Sequence, residues 1–126
     1  MRKIAAALAM VGLCVSQQAL AENLIRYSTD RTGTVLYYDA DTIRHSSGYV
    51  LVWTLFDASK DKSVKYNTVR ALWKIDCSSM SSGAMAVAKY KANGELLDSG
   101  SFDYPHITPD VPGSVGYKLD KVICDR

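Results

Sequence analysis

Few side chains in this sequence have the type and spacing that chemistry requires. Neither His45 nor His106 belongs to a histidine or cysteine motif that would bind a metal or supply a general base. Asp57 and Asp61 could form the carboxylate pair of a glycoside hydrolase, but they lie in a mixed-charge segment, 57–63, that is typical of a solvated loop. No glycine-rich phosphate loop or G-x-S-x-G motif is present. The sequence therefore predicts no catalytic, cofactor-binding or metal-binding residue, and a protein that is not an enzyme.

The first 21 residues have the pattern of a secretory signal peptide. Two basic residues precede an apolar run over 4–15, and Ala19-Leu20-Ala21 forms a small-x-small cleavage site. The run is shorter than the ~20 residues that span a bilayer. We therefore predict a signal peptide over residues 1–21 and a single exported domain over 22–126.

A lipoprotein signal ending at Cys14 is the alternative. It is disfavoured because the bulky Leu13 stands where lipoprotein processing requires a small residue. Cleavage after residue 21 removes two of the 15 basic residues and none of the 13 acidic ones, so the exported domain is formally neutral. A neutral domain without a basic stripe is a poor nucleic-acid binder, because phosphate contacts need clustered Lys and Arg.

Cys77 and Cys124 are the cysteines that remain in the exported domain. An even pair in an oxidising compartment predicts one structural disulfide, since no C-x-x-C spacing supports a reactive or metal-binding pair. Closing a loop of about 47 residues stabilises a fold by roughly 4 kcal/mol in the chain-entropy model.

Runs of β-branched and aromatic residues predict a mostly antiparallel sheet. Residues 24–28 and 34–38 form one hairpin, and residues 85–91 and 96–102 form a second around Asn93-Gly94. Residues 49–56 are apolar at nearly every position, which predicts a central strand that is buried on both faces.

An amphipathic helix follows Pro112-Gly113. Ser114 can cap it, and its apolar residues recur at helical spacing: Val115, Leu119, Val122 and Ile123. We expect the helix to end near Cys124 and to pack where Ala84, Ala86 and Ala88 leave room on a strand. The fold class is then α+β, with a C-terminal helix held on one face of the sheet by the disulfide.

Candidate binding residues come from exposed aromatic and basic positions. Tyrosine is enriched at binding interfaces, and Tyr37 or Tyr38, Tyr49 and Tyr104 are predicted to be accessible. Lys60, Lys62 and Lys65 could form the rim of such a surface, or could protect a strand edge against aggregation.

Several segments, in order, resemble the surface-adhesin protein E family. They are residues 37–44, Val52-Trp53, residues 70–77 with their Asp-Cys end, Tyr90 with Gly94, and residues 112–115 leading to 122–124. The resemblance implies an antiparallel sheet of about six strands with a disulfide-held C-terminal helix. It also implies an envelope protein of a Gram-negative bacterium that binds host vitronectin, laminin and plasminogen. A homodimer is a further expectation from this resemblance.

Two functional hypotheses follow. The first is a surface adhesin that binds host matrix or serum proteins, located at the outer membrane or cell surface. The alternative is a soluble periplasmic inhibitor or immunity-type protein, which would insert residues 103–113 or 57–63 into the cleft of a secreted enzyme such as a lysozyme.

Overall fold

A single antiparallel sheet with one helix forms the protein in this computed structural model, which describes residues 22–126. Six long strands lie in the order β1-β2-β4-β5-β6-β7, β3 pairs with β4, and β8 pairs with β6. The elements are β1 (Leu24–Thr29), β2 (Val35–Asp39), β3 (Arg44–Ser46), β4 (Tyr49–Asp57), β5 (Thr68–Asp76), β6 (Ser81–Tyr90), β7 (Leu96–Ser101), β8 (Thr108–Pro109) and α1 (Val115–Cys124). The predicted α+β class is confirmed, and the predicted signal peptide with Cys14 lies outside the described residues.

Both predicted hairpins form, because each has a glycine where the turn requires a left-handed residue. Gly33 has φ 85° between β1 and β2, and Gly94 has φ 89° between β6 and β7. After β2, the Asp39 side chain accepts a 3.1 Å hydrogen bond from the Asp41 backbone and caps a short 3-10 turn, Ala40–Thr42. The two hairpin turns fix the register of β1 on β2 and of β7 on β6, at the two edges of the sheet.

Burial along β4 alternates, which corrects the prediction of a strand buried on both faces. Val50, Val52 and Thr54 are buried, whereas the residues between them are half-buried. The cause is that α1 packs on one face only. The near-continuous apolar sequence of β4 therefore places apolar side chains on an uncovered face as well.

The helix and the sheet share one hydrophobic core. Leu119 and Ile123 of α1 pack in a cluster that also contains Tyr38, Val50, Val52 and Ile75. Ser114 caps the helix as predicted, since its hydroxyl accepts a 3.2 Å hydrogen bond from the Tyr117 backbone. The helix ends at Cys124, which forms the predicted disulfide with Cys77, directly after β5.

The helix does not pack where the small residues of β6 were expected to receive it. Ala86 pairs with Leu72 and Ala88 pairs with Arg70, on the face opposite the buried Ala71. A β-bulge opposite Leu72 and Trp73 reverses the alternation, so Ala84 pairs with Trp73 instead. Most of this alanine stripe therefore lies on the uncovered face.

Candidate functional site

The uncovered face of the sheet, called the open face below, carries a contiguous apolar surface. In the strand register Trp53 lies opposite Leu72, and Leu55 lies between Tyr37 and Arg70. The large apolar side chains of this surface are all half-buried: Tyr37, Leu51, Trp53, Leu55 and Leu72. They come from three neighbouring strands, so the surface is as rigid as the sheet itself.

Charged groups flank this apolar surface. The Arg70 guanidinium makes a bidentate ion pair with the Glu22 carboxylate, one contact measuring 2.9 Å, and this hydrogen bonding lowers the pKa of Glu22. The backbone amide of Asn23 donates to Asp39 at 3.2 Å, which directs the chain ahead of β1 toward the open face. Nζ of Lys74 lies 4.2 Å from the centre of the Tyr49 ring. Aromatic and arginine side chains around an apolar centre are typical of binding hot spots.

The candidate binding residues from the sequence lie in three separate places. Tyr49 is half-buried at the start of β4, on the open face. Lys60, Lys62 and Lys65 are exposed in the loop after the other end of β4, about 26 Å along the strand from Tyr49. That loop joins two central strands, so these lysines do not protect a sheet edge. Tyr104 is 95% exposed in the segment after β7. The structure thus joins Tyr49 and Tyr37 to the open face, whereas Tyr38 is buried on the opposite face.

The opposite face holds a cavity that the sequence did not suggest. It has a volume of about 200 Å³ and lies between α1 and the sheet. Its lining is mostly aromatic and aliphatic: Tyr27, Phe56, Trp73, Ser82, Asp110, Val115, Gly116 and Leu119. Val115 is 41% exposed, so solvent reaches the cavity at the N-terminal end of the helix.

Two carboxyl groups, those of Asp110 and Asp120, lie close together beside this cavity. Asp110 accepts a 2.7 Å hydrogen bond from the Ser82 hydroxyl. A Cβ atom at Gly116 would lie 2.7 Å from Oδ1 of Asp110, so glycine at this helical position lets the carboxylate approach the helix backbone. Asp120 follows Gly116 by four residues, on the same side of α1.

Asp120 is the unusual member of this pair. Its side chain is fully buried, and among residues 22–126 its carboxyl oxygens accept no hydrogen bond, whereas the protonated group can donate one to the neighbouring Asp110 carboxylate. Burial, together with the neighbouring Asp110, raises the pKa of Asp120 to about 8. Burial and the Asp120 carboxyl also raise the pKa of Tyr27. The one signal of this site in the sequence is a polar residue beside Leu119, on the buried side of the helix.

Metal and membrane-spanning features are absent from the part of the chain that the structure describes. Residues 22–126 contain no group of three or more His, Cys, Asp or Glu side chains that could hold a metal ion. His45 and His106 are both exposed. No helix in the same residues is long and apolar enough to cross a membrane.

The sequence match to a family spans nearly all of this domain. The family model for surface-adhesin protein E matches residues 24–125, from the first residue of β1 to the residue after α1. The chain belongs to the surface-adhesin protein E family. No curated protein sequence matches it.

Solved structures of Haemophilus influenzae protein E share the fold of this family member. Crystal form II of that protein aligns with a TM-score of 0.62 at 15% identity, over 84% of this chain and 90% of the other. Protein E from non-typeable Haemophilus influenzae aligns with a TM-score of 0.58 at 14% identity, over 84% of this chain and 78% of the other. At this identity the match establishes the common fold, and the binding residues must be argued from this chain.

Proposed function

We propose that this protein is a non-enzymatic adhesin that binds host extracellular-matrix or serum proteins through its open face. The family match over residues 24–125 carries the proposal, because it spans every strand that builds that face. The resemblance to this family supports vitronectin, laminin and plasminogen as the proteins to test. Binding would rest on surface complementarity, without a chemical step.

The chemistry of the open face supports its role as the binding surface. Trp53 and Leu72 lie opposite each other at its centre, and the ion-paired Arg70 lies beside them on β5. Sheet residues are already ordered, so a partner that docks on them loses little conformational entropy of this chain. The apolar centre would provide most of the binding energy, and the flanking charges would set orientation.

The proposal requires the protein to reach the cell surface. Export by the predicted signal peptide, with cleavage after residue 21, would place Glu22 at the start of the mature chain and beside the open face. Acylation at Cys14 is the alternative route to surface attachment. A homodimer is also a prediction, and it would have to leave the open face accessible to the host protein.

An adhesion experiment on intact cells tests this function. A Gram-negative host producing the full chain is applied to wells coated with vitronectin, laminin or plasminogen, and surface display is measured in parallel with an antibody. We expect adhesion to at least one coat, and its loss when Trp53→Ala and Leu72→Ala are combined. Tyr104→Ala is the matched control, because it removes an exposed aromatic side chain outside the open face.

Each outcome bears on the proposal. Equal display of all variants with selective loss for the open-face variant supports it. Equal adhesion by the open-face variant excludes this face as the binding surface. A protein that intact cells shield from antibody and protease excludes direct adhesion, and favours the periplasmic inhibitor that would use residues 103–113 or 57–63.

A further inference from the structure

The charges on the open face are unevenly distributed. Paired residues of neighbouring strands share a face, so the register places four basic side chains there: Arg26, Arg44, Arg70 and Lys74. The acidic residues of the same strands and face lie at strand ends, where each accepts a hydrogen bond from the backbone amide two residues further on: Asp39, Asp57 and Asp76. The acidic groups are therefore held at the margin by their own turns, and the middle of the face is positively charged.

The Arg70 ion pair shows that this face binds a carboxylate. Arg70 is on β5, whereas its partner Glu22 lies two residues ahead of β1, and β2 and β4 separate these two strands. The guanidinium and the carboxylate thus meet across the open face, with both nitrogen atoms engaged. The two side chains are 36% and 28% exposed. Ion pairs this exposed contribute little to stability, so a carboxylate from another molecule can replace that of Glu22.

Two further cations on the face have no carboxylate partner. Among residues 22–126, neither Arg44 nor Lys74 forms an ion pair. Both lie opposite Leu51, Arg44 on β3 and Lys74 on β5. The ring of Tyr49 positions the Lys74 ammonium without neutralising its charge. Both charges therefore remain available to an acidic ligand.

The spacing of Arg70 and Lys74 matches an extended segment. They are four residues apart on β5, which corresponds to about 13 Å along a strand. Leu72 lies between them on the same face, opposite Trp53. An extended peptide has the same rise per residue. Three of its side chains at alternate positions could therefore contact Arg70, the Leu72 and Trp53 side chains, and Lys74 in turn.

We propose that the open face recognises an extended acidic segment of the host protein, with an apolar side chain against Leu72 and Trp53 and flanking carboxylates on Arg70 and Lys74. This inference rests on the proposed function, because it gives the chemistry of the partner for the same face. Glu22 occupies Arg70 in the free protein and is displaced on binding. A sulfated polysaccharide fits less well, because it has no apolar group for the centre of the face.

A peptide probe tests this chemistry without a host protein. In the probe, two glutamates flank a phenylalanine, single threonines separate them, and both ends are blocked. The sequence contains only two tryptophans, so in a Trp73→Phe protein the fluorescence of Trp53 reports the open face. We expect the probe to change this signal saturably, and the same peptide with glutamines in place of glutamates to bind at least about tenfold more weakly.

Substitutions of the two ion-paired residues should have opposite effects. In the Trp73→Phe background, Arg70→Gln should weaken binding of the probe at least about fivefold, because a charge-assisted contact is lost. Glu22→Gln should strengthen it about threefold, because Arg70 no longer has an internal partner. In the Arg70→Gln protein, adding Glu22→Gln should change nothing further. An ion pair that only stabilises the fold would instead give weaker or unchanged binding in both single variants.

The controls separate charge on this face from charge in general. Lys121→Gln and Asp125→Asn disrupt an exposed ion pair at the end of α1 and should leave binding of the probe unchanged. Lys74→Gln should weaken it, as Arg70→Gln does. Circular dichroism establishes that each variant is folded.

Three results would overturn the proposal. They are the absence of a saturable signal with the glutamate probe, equal binding of the glutamine peptide, and a folded Glu22→Gln protein that binds the probe no more tightly. A heparin fragment that binds through Arg70 when the peptide does not would assign the face to sulfated polysaccharides instead. Failure of the adhesion hypothesis has a different signature, in which the protein binds the probe selectively but its cells adhere to no host protein.

Discussion

The two faces of the sheet are built from the same strands but differ in how their apolar side chains are used. On the covered face, Val52 and Ile75 are completely buried beneath Leu119 and Ile123 of α1. On the open face, Trp53 and Leu72 remain half-buried. One face thus stabilises the fold, whereas the other keeps apolar surface accessible, which is typical of an interaction site.

The covered face is itself uneven along the helix. At the C-terminal end of α1, Ile123 is 4% exposed and the neighbouring Cys124 is bonded to Cys77. At the N-terminal end, Val115 is 41% exposed and lines the cavity beside Asp110. The contacts that hold the helix on the sheet are therefore concentrated near the disulfide. A cavity remains at the other end of the helix.

The largest expected effect comes from removing the disulfide. Replacing Cys77 and Cys124 together by alanine should lower the free energy of unfolding by about 4 kcal/mol, because the unfolded chain regains the entropy of an open loop. Urea denaturation of the variant, and of the wild-type protein with and without reductant, measures the effect. A loss below about 1 kcal/mol would show that core packing alone holds the helix.

A matched pair of substitutions compares the two ends of the helix. Ile123→Ala should lower the free energy of unfolding by about 3 kcal/mol because it leaves a cavity in the core. Val115→Ala should cost less than about 1 kcal/mol because this side chain is already exposed to solvent. Urea denaturation of the two variants measures both losses. Equal losses of unfolding free energy would show that the two ends of the helix contribute equally to stability.

Asp120 should make stability depend on pH in a defined direction. Its pKa in the folded state is about 8, above its ordinary value of about 3.9 in an unfolded chain. Between these values the folded protein retains a proton that the unfolded chain has lost. The free energy of unfolding therefore falls as pH rises from about 4 to about 8.

The Asp120→Asn variant isolates this contribution. It should be more stable than wild type by about 2 kcal/mol at pH 9, with little difference near pH 4. Acidic groups with lowered pKa, such as Asp57 and Asp76, are common to both proteins, so their effect cancels. Urea denaturation at both pH values gives the difference, with Asp125→Asn as control. A constant difference between the two pH values would contradict a titrating Asp120.

The smallest expected effect on stability concerns the helix cap. Ser114→Ala should lower the free energy of unfolding by about 1 kcal/mol, because the Tyr117 amide loses its acceptor. Ser114→Asp keeps an acceptor at that position and should restore most of the loss. Thermal unfolding of both variants measures the difference, and equal loss in the two would exclude capping as the cause.

Local signals in the sequence predicted most elements of the fold. Asn93-Gly94 determined one hairpin, Ser114 determined the start of the helix, and two cysteines determined how the helix is fastened to the sheet. Their physical causes lie within a few residues of each element, or in a covalent bond. Elements of this kind can be predicted without knowledge of the tertiary packing.

The features that sequence reasoning missed depend on tertiary packing. The bulge near Trp73 moved Ala86 and Ala88 to the open face, and no local pattern marks that extra residue. An apolar strand does not reveal whether one or both faces will be covered, so the open face was missed at β4. Asp110 and Asp120 are ten residues apart, and only the approach of the loop to the helix brings them together.

The most direct test of the division between the two faces measures binding and stability on the same purified variants. Residues 22–126, the part of the chain that is predicted to be exported, are passed over immobilised host protein, and Trp53→Ala is compared with Val115→Ala. We expect Trp53→Ala to weaken binding by at least about tenfold while the free energy of unfolding changes by about 1 kcal/mol, and we expect Val115→Ala to leave binding unchanged. Wild-type binding by a folded Trp53→Ala protein would contradict the assignment of the open face as the binding surface.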